Sequence, residues 1–203
     1  MSLKIITFYL LLLPLQICAQ KPITAKAAYT KANKASAIQN WNEALKWYKL
    51  AAQKGNADAM YNLGYMYESG QGIDQNYPEA MKWYRKAIAK GQTNAMVALG
   101  IIYQNHDSYT EAENCFKLAA DKGNTDAEDL LGYFYFIKER YKEALVWLNK
   151  AAIKNKPMSL YYLAEMYYNG YELQQDQKKA KLYFEKAAEM GEENAISKLK
   201  TIQ

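Results

Sequence analysis

The sequence predicts an all-α fold, an α/α superhelical solenoid of stacked antiparallel helix pairs. Three observations lead there. One phrase recurs five times, its leading alanines at Ala44, Ala80, Ala112, Ala144 and Ala180, in steps of 36, 32, 32 and 36 residues. Within the copies, small and large apolar residues keep helical spacing, as in Ala80, Tyr84 and Ala87. Each copy also closes on Gly55, Gly91, Gly123, Asn155 or Gly191, residue types that end helices at positive φ. Such a unit has an apolar face that it cannot bury alone, so neighbouring units must stack.

The first twenty residues stand apart. Lys4 precedes an apolar run from Ile5 to Leu13, and Ile17-Cys18-Ala19-Gln20 follows. The run is too short to span a bilayer and reads as an export signal cleaved after Ala19. A lipoprotein signal modified at Cys18 is the competing reading, disfavoured because Ile17 is not small. Residues 20–203 then form a single repeat domain of about five helix pairs and a C-terminal capping helix. Its first helix, within Ile23 to Ala37, is a degenerate copy with Ala32 in a position that later units give to glycine.

Each unit holds a helix A and a helix B. Four residues before each leading alanine of helix B stands Asn40, Asn76, Ser108, Arg140 or Asp176. Four of these side chains accept from free amides of a first turn, and Arg140 predicts a less clean start. Helix A carries a Leu-Gly pair, Leu63-Gly64, Leu99-Gly100 and Leu131-Gly132, which becomes Leu163-Ala164. Glycine there weakens a helix by roughly 1 kcal/mol relative to alanine, so helix B is expected to press against its backbone. Tyr67, Tyr103, Tyr135 and Tyr167, three positions on, are expected to fill the space between helices. After Gly191, Asn194 to Lys200 opens a last helix A with Leu199 in the leucine position.

The phrase Leu63-Gly64-x-x-Tyr67-x-x-Gly70-x-Gly72-Ile73, then Ala80-x-x-Trp83-Tyr84-x-Lys86-Ala87 and Gly91, resembles the Sel1-like repeat. That family is an α/α relative of the tetratricopeptide repeats, and the resemblance covers roughly residues 24 to 200. It implies a scaffold or adaptor that binds proteins or peptides. Some secreted members are cysteine-rich and have been described as weak β-lactamases. By analogy, a hydrolase acting on cell wall or β-lactams is the alternative function. This chain lacks their cysteine pairs: Cys115 is the only cysteine after the signal.

Catalytic groups are scarce, and the expectation is a non-enzyme without metal or cofactor. His106 is the only histidine and falls in a turn, with no partner to make an acid–base couple. Zinc would need three or four ligands from a set that is not there. Ser197-Lys198-Leu199-Lys200 matches Ser-x-x-Lys, but the other two motifs of penicillin-recognising enzymes do not occur. Gly70-Gln71-Gly72 lacks the strand and the Lys-Ser/Thr of a phosphate loop. The net charge of +5 is spread over mixed helix faces without a basic run, which argues against nucleic acid. No other apolar stretch reaches membrane-spanning length.

Helices A are expected to line the inner face. Residues two before and two after the buried leucine then point toward a partner: Tyr61 and Tyr65, Val97 and Ile101, Asp129 and Tyr133, Tyr161 and Glu165. One further turn adds Glu68, Gln104, Phe136 and Tyr168. A tyrosine-rich strip rimmed by Asp129, Glu165 and Glu68 suits an extended or helical peptide, because tyrosine combines area, few rotatable bonds and a polar tip. Tyrosine is abundant throughout, with 19 copies, so many must also pack between units. The strip lacks the Lys and Asn pairs that clamp a peptide carboxylate, and self-association through the ends is a further possibility.

Overall fold

The computed structural model describes residues 22–202, so the expected export signal and its cleavage point lie outside the described residues. Eleven helices and no strand occur among them. They are α1 (Ala25–Ala37), α2 (Trp41–Gln53), α3 (Ala57–Ser69), α4 (Tyr77–Ile88), α5 (Thr93–Asn105) and α6 (Tyr109–Asp121). The second half continues with α7 (Thr125–Ile137), α8 (Tyr141–Ile153), α9 (Pro157–Asn169), α10 (Gln177–Glu189) and α11 (Glu193–Thr201). Odd-numbered helices form layer A and even-numbered helices layer B. The two helices of each pair pack most extensively on each other, and each helix B packs next on the helix A that follows it.

The core follows the repeat. Ala44, Ala80, Ala112, Ala144 and Ala180 are fully buried, as are Tyr84, Phe116, Leu148 and Phe184 one turn later. Small residues let the backbones approach, and the large one then fills the gap. The glycine positions show how close the approach is. A Cβ on Gly64, Gly100 or Gly132 would stand 2.7, 2.6 or 2.7 Å from Tyr84, Phe116 or Leu148. At Ala32 and Ala164 the corresponding methyl is buried and accommodated. Of the four inter-helix tyrosines, Tyr135 is buried; Tyr67, Tyr103 and Tyr167 are half-buried against the core.

The helix ends obey local chemistry. Gly55, Gly91, Gly123 and Gly191 adopt φ between 81° and 87°, and Asn155 takes 56°, as their place after each helix B requires. Asn40, Asn76 and Asp176 accept from the amides of Glu43, Glu79 and Lys179. Ser108 differs from expectation: its side chain caps no amide, and its hydroxyl instead donates to the His106 carbonyl at 3.5 Å. Arg140 offers no cap either, yet α8 is 13 residues long, like α6 and α10. Its guanidinium instead bridges Glu143 in the first turn and Glu113 on α6, both at 2.9 Å. Stacking on α6 thus fixes a start that the cap does not.

A second ladder was not anticipated. The first residue of helix B is aromatic in four units, and each of these residues meets the turn of the following unit. Trp41 lies under Gly72, whose added Cβ would fall 2.5 Å from it. The Tyr77 ring takes the edge of His106 at 5.8 Å, Lys138 sits 3.3 Å from the Tyr109 centroid, and Tyr141 stacks on Tyr171 at 4.2 Å. His106 is therefore accounted for by packing on Tyr77.

Candidate inner-face interaction strip

Curvature toward layer A would bring odd helices nearer one another than even ones. Among the described residues, α7 and α9 are the one same-layer pair that packs appreciably. Polar side chains also link successive layer A helices near their N-termini. The Gln92 amide donates to Asp58 at 2.9 Å, Asn124 donates to Asn94 at 2.7 Å, and Lys156 pairs with Asp126. Each donor precedes the first residue of its helix, and each acceptor is the second residue of the previous layer A helix. The strip residues are carried on this rail.

Toward the N-terminal end, Tyr61, Val97 and Ile101 come together. With Asn94, Ala98 and Asp126 they line a cleft of about 180 Å³ spanning α3, α5 and α7. The Tyr61 ring rests on Tyr84 at 5.8 Å. Burial, followed by the charge of Glu68, holds its hydroxyl above the usual tyrosine range, with Asp126 adding to the effect. Tyr65 is the most open member, 46% exposed, and borders a separate cleft of about 280 Å³ shared with Ser36, Trp41 and Gln71.

Toward the C-terminal end, the expected residues join an aromatic cluster. Tyr133 and Phe136 lie 5.2 and 4.7 Å from the Tyr162 centroid, and Tyr161 stands 5.0 Å from Tyr162. Tyr161 and Tyr168 also reach Phe184 at 5.7 and 6.4 Å. Desolvation first, then Glu165, pushes the Tyr161 hydroxyl up to about 12. Tyr162 was missed because it is one residue, not two, from Leu163. Helical geometry nevertheless leaves that position facing inward, between the rings of the previous unit.

The acidic rim needs correction. Asp129 is buried rather than standing at the edge, and it accepts the Ser159 hydroxyl at 2.5 Å. The next unit covers that position of α7, and burial, the dominant cause, raises the carboxyl above its ordinary range. Glu68 accepts the Tyr84 hydroxyl, and Glu165 pairs with Lys198 of α11 at 3.0 Å. Gln104 is half-buried one turn beyond Ile101. A hollow of about 730 Å³ lies off the strip, lined by Ile23, Ala27, Trp47 and Leu50.

No group of three or more potential metal ligands occurs among the described residues. Cys115 is half-buried and burial pushes its thiol up, the reverse of an activated nucleophile. Ser197 is exposed on α11.

A profile of the Sel1 repeat matches residues 37–56, 57–92, 93–124, 125–156 and 157–192. The chain belongs to the Sel1 repeat family. Its fold is similar to that of the protective antigen c5321 of uropathogenic Escherichia coli, with a TM-score of 0.82 and 25% identity. That match covers 88% of this chain and 41% of that one. It is also similar to a Sel1 repeat protein of Oxalobacter formigenes, with a TM-score of 0.77 and 28% identity over 88% of this chain and 76% of that one. An immunity protein of Pseudomonas aeruginosa, Pa5087, shares the fold at a TM-score of 0.58 and 21% identity, over 86% and 70% of the two chains. No curated protein matches the chain in sequence. Sel1 repeat proteins generally mediate protein–protein interaction and are typically non-catalytic scaffolds. None of the described helices is long and apolar enough to cross a membrane.

Proposed function

We propose that this chain is an exported, non-catalytic scaffold that holds a protein or peptide partner along the inner strip of layer A. The observation that carries the reading is the set of half-buried rings from Tyr61 to Tyr168, each packed on a neighbouring ring. Tyr61 leans on Tyr84, Tyr161 and Tyr168 lean on Phe184, and Tyr133 and Phe136 share Tyr162. Rings fixed in this way lose little entropy when a partner arrives, so their contact area is converted efficiently into affinity. Tyr65, Val97 and Ile101 extend the contact surface, Glu68 and Glu165 border it, and Asp129 holds Ser159 beneath it. The apolar start of the chain, ending at Ala19, supports work outside the cytoplasm.

The test is crosslinking in the native cell, comparing the parent chain with a triple variant, Tyr61→Ala, Tyr65→Ala and Tyr133→Ala. Captured proteins should disappear from the variant while its helical circular dichroism stays that of the parent. Unchanged capture by a folded variant removes the strip from consideration.

A further inference from the structure

The four inner helices are chemically one-sided. α3, α5, α7 and α9 carry the carboxylates Asp58, Glu68, Asp126, Glu128, Asp129 and Glu165 and not one lysine or arginine. Every helix of layer B carries lysine. The tyrosine rings of the strip therefore sit among carboxylates, of which Lys154 binds Glu128 at 2.7 Å and Lys156 pairs with Asp126. At its far end the chain answers another of them itself. Lys198 of α11 lies 4.4 Å from the Tyr168 centroid and binds Glu165 at 3.0 Å, so an aromatic face and a carboxylate together hold one ammonium.

A tyrosine ring and a carboxylate meet again nearer the N-terminal end, from α3 and α7. The cleft between α3, α5 and α7 is lined by Tyr61 and Asp126 together with Asn94 and the apolar Val97, Ala98 and Ile101. Other rings of the chain have cations of their own, such as Lys86 on Trp83 at 3.9 Å and Lys179 on Tyr167 at 4.3 Å. Among the described residues no lysine or arginine lies over Tyr61. Asp126 pairs with Lys156, but its side chain remains 64% exposed, leaving a face of the carboxylate toward solvent.

We infer that this cleft is a subsite for a lysine or arginine side chain of the partner, so that the strip selects a basic segment. The inference rests on the strip being the partner surface. The methylene stem would lie on Val97, Ala98 and Ile101, and the charged head would reach the Tyr61 face and Asp126. A volume of about 180 Å³ accommodates one such side chain and not a folded element. An acidic segment would meet the carboxylates of α3 and α7 and is rejected by them.

The probe is the peptide acetyl-Gly-Ala-Arg-Ala-Gly-amide, with counterparts carrying norleucine or glutamate at the centre. Each is titrated into the purified chain while the methyl resonances of Val97, Ala98 and Ile101 are followed. The arginine peptide should shift them saturably and bind at least about fivefold more tightly than the norleucine peptide; the glutamate peptide should leave them unmoved. Two variants fix the cause. Asp126→Asn should weaken the arginine peptide by about fivefold, whereas Lys156→Met, which frees the carboxylate, should tighten it by about threefold. Both variants break the same ion pair, so a purely structural effect would move them in one direction. Equal binding of arginine and norleucine, or a common direction in the two variants, overturns the subsite. If the triple tyrosine variant loses its captured partner while arginine ignores the cleft, the strip stands and the basic specificity falls. Arginine binding in the cleft alongside capture that survives the triple change refutes the strip, and with it the cleft's role as a subsite for the partner.

Discussion

Gly132 offers the most quantitative test of how closely the two layers approach. Replacing it by alanine favours the isolated helix α7 by about 1 kcal/mol. The added Cβ, however, would lie 2.7 and 2.9 Å from Leu148 Cδ2 and Cγ and 3.0 Å from the Leu148 backbone nitrogen. A side chain can turn aside, but the backbone of α8 moves only by prising the unit open. Overpacking of this kind costs about 1–3 kcal/mol, and the backbone contact places Gly132→Ala at the upper end. The net expectation is a loss of about 2 kcal/mol, or a fall in Tm of about 4–8 °C for a chain of this size. Thermal unfolding by circular dichroism measures it. A double-mutant cycle with Leu148→Ala isolates the cause, because the smaller residue makes room for the new methyl. Leu148→Ala should then cost at least about 1 kcal/mol less in the Gly132→Ala background than in the parent. A Tm equal to or above that of the parent, or an additive cycle, refutes the close approach as the reason for glycine.

Turn residues should respond with opposite signs. Gly91→Ala, at φ 85° with nothing near its Cβ, should lose about 1 kcal/mol in urea unfolding, and Glu139→Gly, at φ 57°, should gain about 0.5–1 kcal/mol. For the stacked pair, a cycle on Tyr141→Ala and Tyr171→Ala should give a coupling of about 0.5–1.5 kcal/mol, since the centroids are 4.2 Å apart and the rings nearly parallel; zero coupling would mean that the extension of the fifth unit does not grip α8. Tyr161 keeps its proton up to about 12, above the ordinary tyrosine value near 10. Above pH 10 the unfolded chain therefore binds fewer protons than the folded one, and stability declines as pH rises toward 12. Absorbance titration of tyrosinate should show the native chain lagging the urea-unfolded chain, with the lag reduced in Tyr161→Phe.

The helices, their ends and their pairing were legible because each is decided within a few residues: glycine or asparagine after helix B, glycine where Tyr84 or Phe116 presses. The strip was only partly so. Tyr61, Val97 and Ile101 converge as spacing implied, since all three occupy the same inward register. Asp129 occupies that register too, yet the fifth unit covers it through Ser159, a contact set by how far α9 leans on α7. Ser108 and Arg140 show the same limit. One has a capping side chain that is not used, and the other lacks one but starts on time through Glu113 of the neighbouring unit. The aromatic ladder from Trp41 to Tyr141 was visible as four aromatics placed directly before a turn-flanked alanine motif. Its meaning lay in residues 29 to 31 positions away, such as Gly72 and His106, and so in the superhelical geometry rather than in any local pattern.

Because each unit packs chiefly on its immediate neighbours, the outermost of the described helices are held from one side alone among the described residues. Among the described residues α1 packs chiefly on α2 and α11 chiefly on α10, and neither helix contains a cysteine. Loss of order should therefore start at the extremities and move inward one unit at a time, so that amide hydrogens of α5 to α7 exchange last. Under tension the molecule would pay out as a short spring, with the central rungs the final ones to yield.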